Sequence, residues 1–473
     1  KYSPNDKNYI TNLFIFKNNP NKTANNLLFN TDIINQNSTS ENYTIYNHFN
    51  HTLQLTEKTV LNNYFYIGND KIDEKSKISS PFLNSFLSLD TNQIINQNAK
   101  NKLFYIGSKS KVISKFRKID LTNTIQFEYS NEQFKNDFIT NNQSIETYQN
   151  NASLKILNLF QENTMRYNFS RKIDLTTNLN FQNTQFNNNS FSKNLFVINP
   201  SIYLNIKKTG FGNFSLSFSE NNSLPEINQL TTNYQLTDYR SFLQGTTFQK
   251  PLKNQTISLN YSYYNDEKRF SINTNIFYNN SKSILNTSSN LTSDFNFNSY
   301  IQTKGSESYN FNFSLVNYSR KLKLASKIET LNNWITSPLN VNSTEFSNAK
   351  SFSNSIKYSA TTYFKSKINF DFGFSYNYFQ SNFQGIKTTN TTKDAFFNIN
   401  YKVSKTILAE SNNSLYYVNN KNYSFNNVVL SYTPLDSKFS YRLILNNLVN
   451  ENQYTSISIN NYSYYQSIIQ LVP

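Results

Sequence analysis

The chain contains no cysteine, and that absence removes disulfides, thiolate metal sites, iron–sulfur clusters and cysteine nucleophiles together. Glycine is nearly as scarce, at 8 of 473 residues, which leaves little material for a glycine-rich phosphate loop. Only two histidines occur, His48 and His51. Three apart on a strand, they point to opposite faces and share no metal. No Ser-His-Asp order and no pair of catalytic carboxylates can be assembled, so the residues predict a protein that is not an enzyme and carries no cofactor. Apolar runs near 18 residues are missing too, and mean hydropathy is -0.62, which excludes a transmembrane helix. A transmembrane barrel stays open, because lumen residues dilute the hydropathy of lipid-facing ones.

Charge is low as well, at 16% of residues, and hydrophobic residues are 37%, both under the usual globular share. In their place stand Asn, Ser, Thr and Gln, with 41 Phe and 34 Tyr. Aromatics this abundant in alternating runs exclude disorder. The net charge of +16 suits phosphate-rich partners such as nucleic acid or lipid headgroups. A/T-rich coding, which favours Lys, Asn, Ile, Phe and Tyr together, is the better account of it. The many Asn-x-Ser/Thr triplets, such as Asn37-Ser38-Thr39, follow by chance from the same composition.

The clearest stretch runs from Ile368 to Phe379. Ile368, Phe370, Phe372, Phe374, Tyr376 and Tyr378 share one strand face, and Asn369, Asp371, Gly373, Ser375 and Asn377 share the other. Twelve residues at about 3.3 Å each, tilted about 45°, match the hydrocarbon of a bilayer. Other runs repeat the beat. Tyr43 to Leu55 and Thr59 to Ile67 read as a hairpin, with long polar connections over Asn18 to Asn37 and Asn69 to Asn101. Arg117-Lys118-Ile119-Asp120 returns as Arg171-Lys172-Ile173-Asp174, and Arg320-Lys321 resembles both; each basic pair reads as a tight reversal. Further reversals fall at Lys207 to Gly212, Asn265 to Lys268, Phe364 to Lys367 and Leu435 to Lys438. Phe65-Tyr66-Ile67-Gly68 recurs as Phe104-Tyr105-Ile106-Gly107, read as two strands with similar ends because the flanks differ.

Short and long connections largely alternate, as in an up-and-down barrel with tight turns on one rim and long loops on the other. The expectation is an all-β fold: a large antiparallel transmembrane β-barrel of roughly 18 to 20 strands occupying residues 1–473. Lys1 is not an initiator and no signal segment follows it, so the sequence reads as a mature or internal piece.

Phe214-Ser215-Leu216-Ser217-Phe218, then Leu224-Pro225-Glu226-Ile227-Asn228, Asp238-Tyr239-Arg240 and Ile257-Ser258-Leu259-Asn260-Tyr261 resemble the central barrel of TonB-dependent outer-membrane receptors. Asn446-Asn447-Leu448-Val449-Asn450 with Tyr454 is similar to that family's signature near the last strands, with Val449 where Phe is usual. The resemblance implies a Gram-negative outer-membrane location, contact with lipid and lipopolysaccharide, and TonB as a partner through a plug domain. Neither the plug, the TonB-engaging motif nor a last aromatic-ended strand is present in these residues, so the expected barrel is truncated at both ends. The resemblance also implies that the loop Glu220 to Lys253 meets solute or partner, with Glu226, Asn228, Gln229, Asp238, Tyr239 and Arg240 as its candidates.

Two further clusters bear on function. Lys109, Lys111, Lys115 and Arg117 share one parity, opposite Val112 and Phe116, and predict a basic stripe facing the lumen, where it guides an anion or pairs with carboxylates of an internal plug. Because parity separates these charges from the aromatics, no nucleic-acid partner is expected. Asp70, Asp73 and Glu74 read as a solvated loop, since they lack the glycine and terminal glutamate of a calcium loop. Trp334 and the tyrosines at strand ends fit interfacial girdles. Three functions stay open: solute uptake, a scaffold role alongside a surface lipoprotein or other envelope subunits, and a secreted β-rich adhesin.

Overall fold

The structure, a computed structural model, describes residues 2–5, 7–29, 32–90, 93–140, 143–189, 191–208, 210–248, 250–343, 345–418, 421–435, 439–451, 453–459 and 464–470. Their dominant element is one antiparallel ladder in which each long strand pairs with the next along the chain. It starts with Asn8–Phe29, Asp32–Thr56, Thr59–Ser79, Ile94–Lys115 and Ile119–Thr140. Asn150–Ser170, Ile173–Asn188, Phe191–Lys208, Gly212–Ser223, Leu252–Asn265 and Phe270–Leu291 follow. Glu307–Ser319, Leu324–Val341, Ser347–Thr362, Ile368–Phe383, Ile386–Lys402, Ile407–Val418, Lys421–Tyr432 and Tyr441–Leu445 complete it. These nineteen described strands fall within the expected range.

Parity assigns the two faces consistently along the ladder. Phe374 pairs with Tyr358 on one side and Ala395 on the other, and Phe372 with Ala360 and Phe397. The same face carries Phe311 against Ile276, and Phe218 against Ile257. Its large side chains are open to the surroundings, Phe374 at 51% and Phe397 at 46%. The opposite face is polar and satisfied across strands: Asn400 donates to Asp371 at 2.8 Å, Ser355 to Asn377 at 2.7 Å, and Asn178 to Glu162 at 2.8 Å. An apolar face turned outward over a hydrogen-bonded inner face inverts the plan of a soluble protein and matches a wall seated in lipid.

The height of that apolar band is set by aromatic rows. Tyr278, Tyr309, Trp334 and Phe352 are direct partners on four adjacent strands, with ring centroids 4.7 Å apart for Tyr278 and Tyr309 and 5.1 Å for Trp334 and Phe352. Exposed Phe116, Phe169, Phe211, Tyr264, Tyr363 and Tyr401 lie at the tight-turn rim. From Leu324 to Trp334 the rise is about 33 Å along the strand, or about 23 Å once tilted, which is the hydrocarbon span of an outer-membrane barrel.

Several expectations change above that band. Asn18 to Asn37 and Asn69 to Asn101 are not polar connections: they lie mostly in strand, since Asn8–Phe29, Asp32–Thr56, Thr59–Ser79 and Ile94–Lys115 run far past the apolar band. Asp70, Asp73 and Glu74 are therefore in a strand, with Asp73 beside Lys71 and Lys100 at 3.5 and 3.9 Å. Both faces meet water there, so hydrophobic alternation, the signal used to find strands, falls silent. The far rim also contains a tight connection, Gln384-Gly385, both at positive φ as a two-residue hairpin requires. Asn296–Thr303 belongs to an external sheet, and the wall resumes with Glu307–Ser319. Of the reversal expected at Leu435 to Lys438, residues 436–438 lie outside the described residues, as do residues 471–473.

The ladder curls. Ile34, on the second long strand, shares a buried cluster with Phe295, which follows Phe270–Leu291. Eight other strands separate the two in the ladder, so the wall must bend around its polar face to bring them together. Between the first and last long strands no pairing is seen among the described residues; Tyr2–Asn5 lies on the free edge of the first.

Candidate functional site

The inner face is richest in chemistry between residues 46 and 132. The two Phe-Tyr-Ile-Gly segments, expected as similar ends of two strands, lie antiparallel against each other: Tyr66 opposes Gly107, Ile67 opposes Ile106 and Gly68 opposes Tyr105. Parity sends both tyrosines and both glycines inward and both isoleucines outward. Each tyrosyl ring lies over the partner strand's glycine, and a Cβ added at Gly68 or Gly107 would fall inside the facing ring. Glycine is required here by close approach and not by a turn.

Around this pair the inner wall gathers further rings and acids. Tyr46 and Tyr64 share a hydrogen bond, His48 packs 5.5 Å from Tyr46 and 5.0 Å from Tyr64, and Tyr66 lies 5.6 Å from Tyr64. Tyr66 donates to Glu128, whose neighbour Gln126 turns its amide toward both. One step higher, Asn101 donates to Glu132 at 2.7 Å. The four tyrosines, Gln126, Glu128 and Glu132, with Asp70, Leu103, Lys109 and Ser130, line an open cleft of about 690 Å³.

Over the upper end of the cleft lies the loop between Gly212–Ser223 and Leu252–Asn265. It folds inward instead of extending into solvent. A turn of 3-10 helix at Ile227–Leu230 and a hairpin of Gln235–Asp238 with Ser241–Gln244 give it local order. Ile227, Leu230 and Phe248 pack on Phe134, Ala152, Leu154 and Phe186, while Leu236 and Phe242 pack on Ile34, Ile78, Ile95 and Phe138. Two side-chain amides of the wall grip its backbone at both donor and acceptor. Gln97 does so at Leu236, with distances of 2.7 and 3.1 Å, and Asn150 at Asn233, with 3.1 and 3.0 Å. Buried backbone groups that face a matched amide in this way lose no hydrogen bond on docking.

The expected loop residues divide between two tasks. Glu226 and Gln229 close a capping box on each other, Asp238 accepts from the Arg240 amide at 2.8 Å, and Arg240 reaches the Ser293 carbonyl at 3.5 Å. Tyr239 packs beside the Phe242 cluster. Asn228 opens to the lumen, and with Glu226 it lines a cavity of about 240 Å³ shared with Glu74, Asn101, Glu132 and Phe134. Asp238 lines the neighbouring cavity with Gln36, Glu74 and Gln97. Glu132 thus stands at the junction of cleft and loop, above the apolar band. Burial pushes its carboxyl up from the ordinary value, and the Glu226 charge pushes the same way against the lowering effect of the Asn101 amide.

Lys109 and Lys111 lie on the inward parity of Ile94–Lys115, and Lys109 lines the cleft. Lys115 ends the strand, exposed. Arg117 does not continue the stripe: it sits in the tight reversal that precedes Ile119–Thr140. Parity ends where the strand ends. The Asn446–Asn450 segment is a turn, with Asn447 and Asn450 at positive φ, and Asn447 both donates to and accepts from the Glu451 backbone.

No family model and no curated protein matches the sequence. Among solved structures, the chain is similar to the siderophore receptor PirA from Pseudomonas aeruginosa, at 10% identity and a TM-score of 0.41, over 87% of this chain and 78% of that one. The ferric enterobactin receptor PfeA, solved with BCV-L6, gives 9% and 0.43 over 86% and 75%. The alcaligin outer-membrane receptor FauA from Bordetella pertussis gives 8% and 0.33 over 89% and 74%. All three neighbours are receptors.

Proposed function

We propose that the chain is the barrel of an outer-membrane receptor for solute uptake, of the TonB-dependent class. The loop 224–251 and the cleft beneath it receive a solute from outside, which leaves through the polar lumen once a plug domain coupled to TonB releases it. The observation that carries this reading is the combination of an outward apolar band of bilayer height with an inward-folded loop over a polar cleft. A scaffold needs the first and has no use for the second.

The test is uptake in two parts. The whole chain refolded in detergent should migrate differently before and after boiling, as closed barrels do. Cells carrying the full-length protein should lose binding of their solute, and not merely its release, when residues 226–248 are replaced by a short Gly-Ser linker. Retained binding after that replacement would refute the role given to the loop. Loss of an envelope complex with unchanged uptake would favour the scaffold instead.

A further inference from the structure

The cleft carries an unmatched charge. Asp70, Glu128 and Glu132 all line it, and only Lys109 opposes them. Elsewhere on the inner face, Asp174 lies 3.4 Å from Arg166, Glu329 lies 2.7 Å from Lys327, and Glu410 lies 3.9 Å from Arg442. Other inward acids, such as Glu162 and Asp371, stand singly among amides. Here three stand in one cleft, and among the described residues none has a Lys or Arg nitrogen within 4.0 Å. Asp70 sharpens the point: it lines the cleft, and among the described residues no hydrogen bond or ion pair of the wall engages its carboxylate.

The aromatic wall gives the vacancy a shape. Tyr46, Tyr64, Tyr66 and Tyr105 border the cleft, with centroids 5.6 to 6.3 Å apart where they meet. Tyrosine rings attract cations at their faces, and an ammonium supplies the N–H donors that carboxylates and phenol oxygens accept. A metal ion fits poorly, since among the described residues no three His, Cys, Asp or Glu side chains converge closely enough to hold one. The volume of about 690 Å³ suits a ligand of one or two sugar rings.

We propose that this cleft binds a small organic solute bearing a protonated amine, such as an amino sugar, with Asp70 as the direct partner of the ammonium. The inference deepens the uptake reading and rests on it in taking the inner wall as the solute's path.

The test uses the whole chain refolded in detergent, first shown to be folded by its heat-dependent mobility. Calorimetric titration with glucosamine should give saturable binding, and N-acetylglucosamine, the same sugar without the charge, should bind at least about tenfold more weakly. Asp70→Asn, which removes no hydrogen bond that the wall uses, should lower glucosamine affinity by a similar factor. Equal binding of the two sugars, an unchanged affinity in Asp70→Asn, or no binding of glucosamine and of spermidine would each overturn the proposal. Saturable, charge-selective binding by the refolded chain, with glucosamine uptake unchanged in cells from which the full-length protein is deleted, would instead leave it standing and refute the uptake reading. Absence of the mobility shift would sink both.

Discussion

Truncating Phe242 isolates the docking of the loop from the folding of the wall. Phe242 is fully buried and touches five rings, from Phe297, stacked at 5.0 Å, through Tyr148 and Phe86 at 5.3 and 5.8 Å, to Phe295 and Tyr234 at 6.0 and 6.5 Å. Phe242→Ala should cost about 3–5 kcal/mol, from lost transfer free energy and the cavity left behind. Because Phe242 joins loop to wall and pairs in no wall strand, the loss falls on docking. About 3 kcal/mol raises the undocked population roughly 150-fold. Trypsin reads this directly, since Arg240 immediately precedes the second hairpin strand, Ser241–Gln244, and the Arg240–Ser241 bond is cleavable. The variant in proteoliposomes should be cut in the loop at least tenfold faster than the parent, with its heat-dependent mobility unchanged. A cutting rate within threefold of the parent, with mobility intact, would refute the claim that this cluster holds the loop in the mouth.

Gly107→Ala should displace the Tyr66 ring and its bond to Glu128, costing about 1–3 kcal/mol, and should lower the temperature at which the folded mobility is lost; an unchanged temperature would mean that the ring moves freely. Loop docking should depend on pH through Glu132. Its carboxyl is raised in the docked state, so docking binds the proton more tightly, is fully favoured below the ordinary 4.5 and weakens as pH rises through the raised value. Proteolysis of the loop should therefore accelerate with pH across that window and become flat in Glu132→Gln; a slope that persists would assign it elsewhere. Trp334 is the only tryptophan and sits in the outward aromatic row, so brominated lipid should quench its fluorescence and aqueous iodide should not. Strong iodide quenching would place that row in water.

What the sequence disclosed follows from where side chains meet lipid. Phe370, Phe372, Phe374 and their neighbours alternate because only one face of a membrane strand must be apolar, and that face fixed strand, direction and parity at once. Outside the bilayer the constraint lapses. Lys71, Asp73, Lys100 and Lys102 occupy the same outward face as Phe65 and Phe104, so a continuous strand looks like two regions of different character. The folded loop stayed hidden for a related reason: Ile227, Leu230, Leu236, Phe242 and Phe248 are single anchors without a period, legible only once the wall that receives them is known. Arg117 shows the converse error, a parity carried one turn too far. The cleft did leave a trace, the repeated Phe-Tyr-Ile-Gly, whose meaning lay in antiparallel pairing and not in duplication.

That pairing gives the tetrapeptide an unusual symmetry. Because Tyr opposes Gly in both directions about the central isoleucines, each segment is its own complement: a strand carrying Tyr66-Ile67-Gly68 satisfies the same geometry against a second copy of itself as against Tyr105-Ile106-Gly107. Before the wall is complete, two copies of this tripeptide can therefore meet with the same tyrosine-on-glycine contacts, although their flanks then face different partners. The hairpin connection through residues 80–93, with its short helix Pro81–Phe86, brings the correct partner to high effective concentration and decides the competition. Lengthening that connection would turn a device that registers two neighbouring strands into one that joins two molecules.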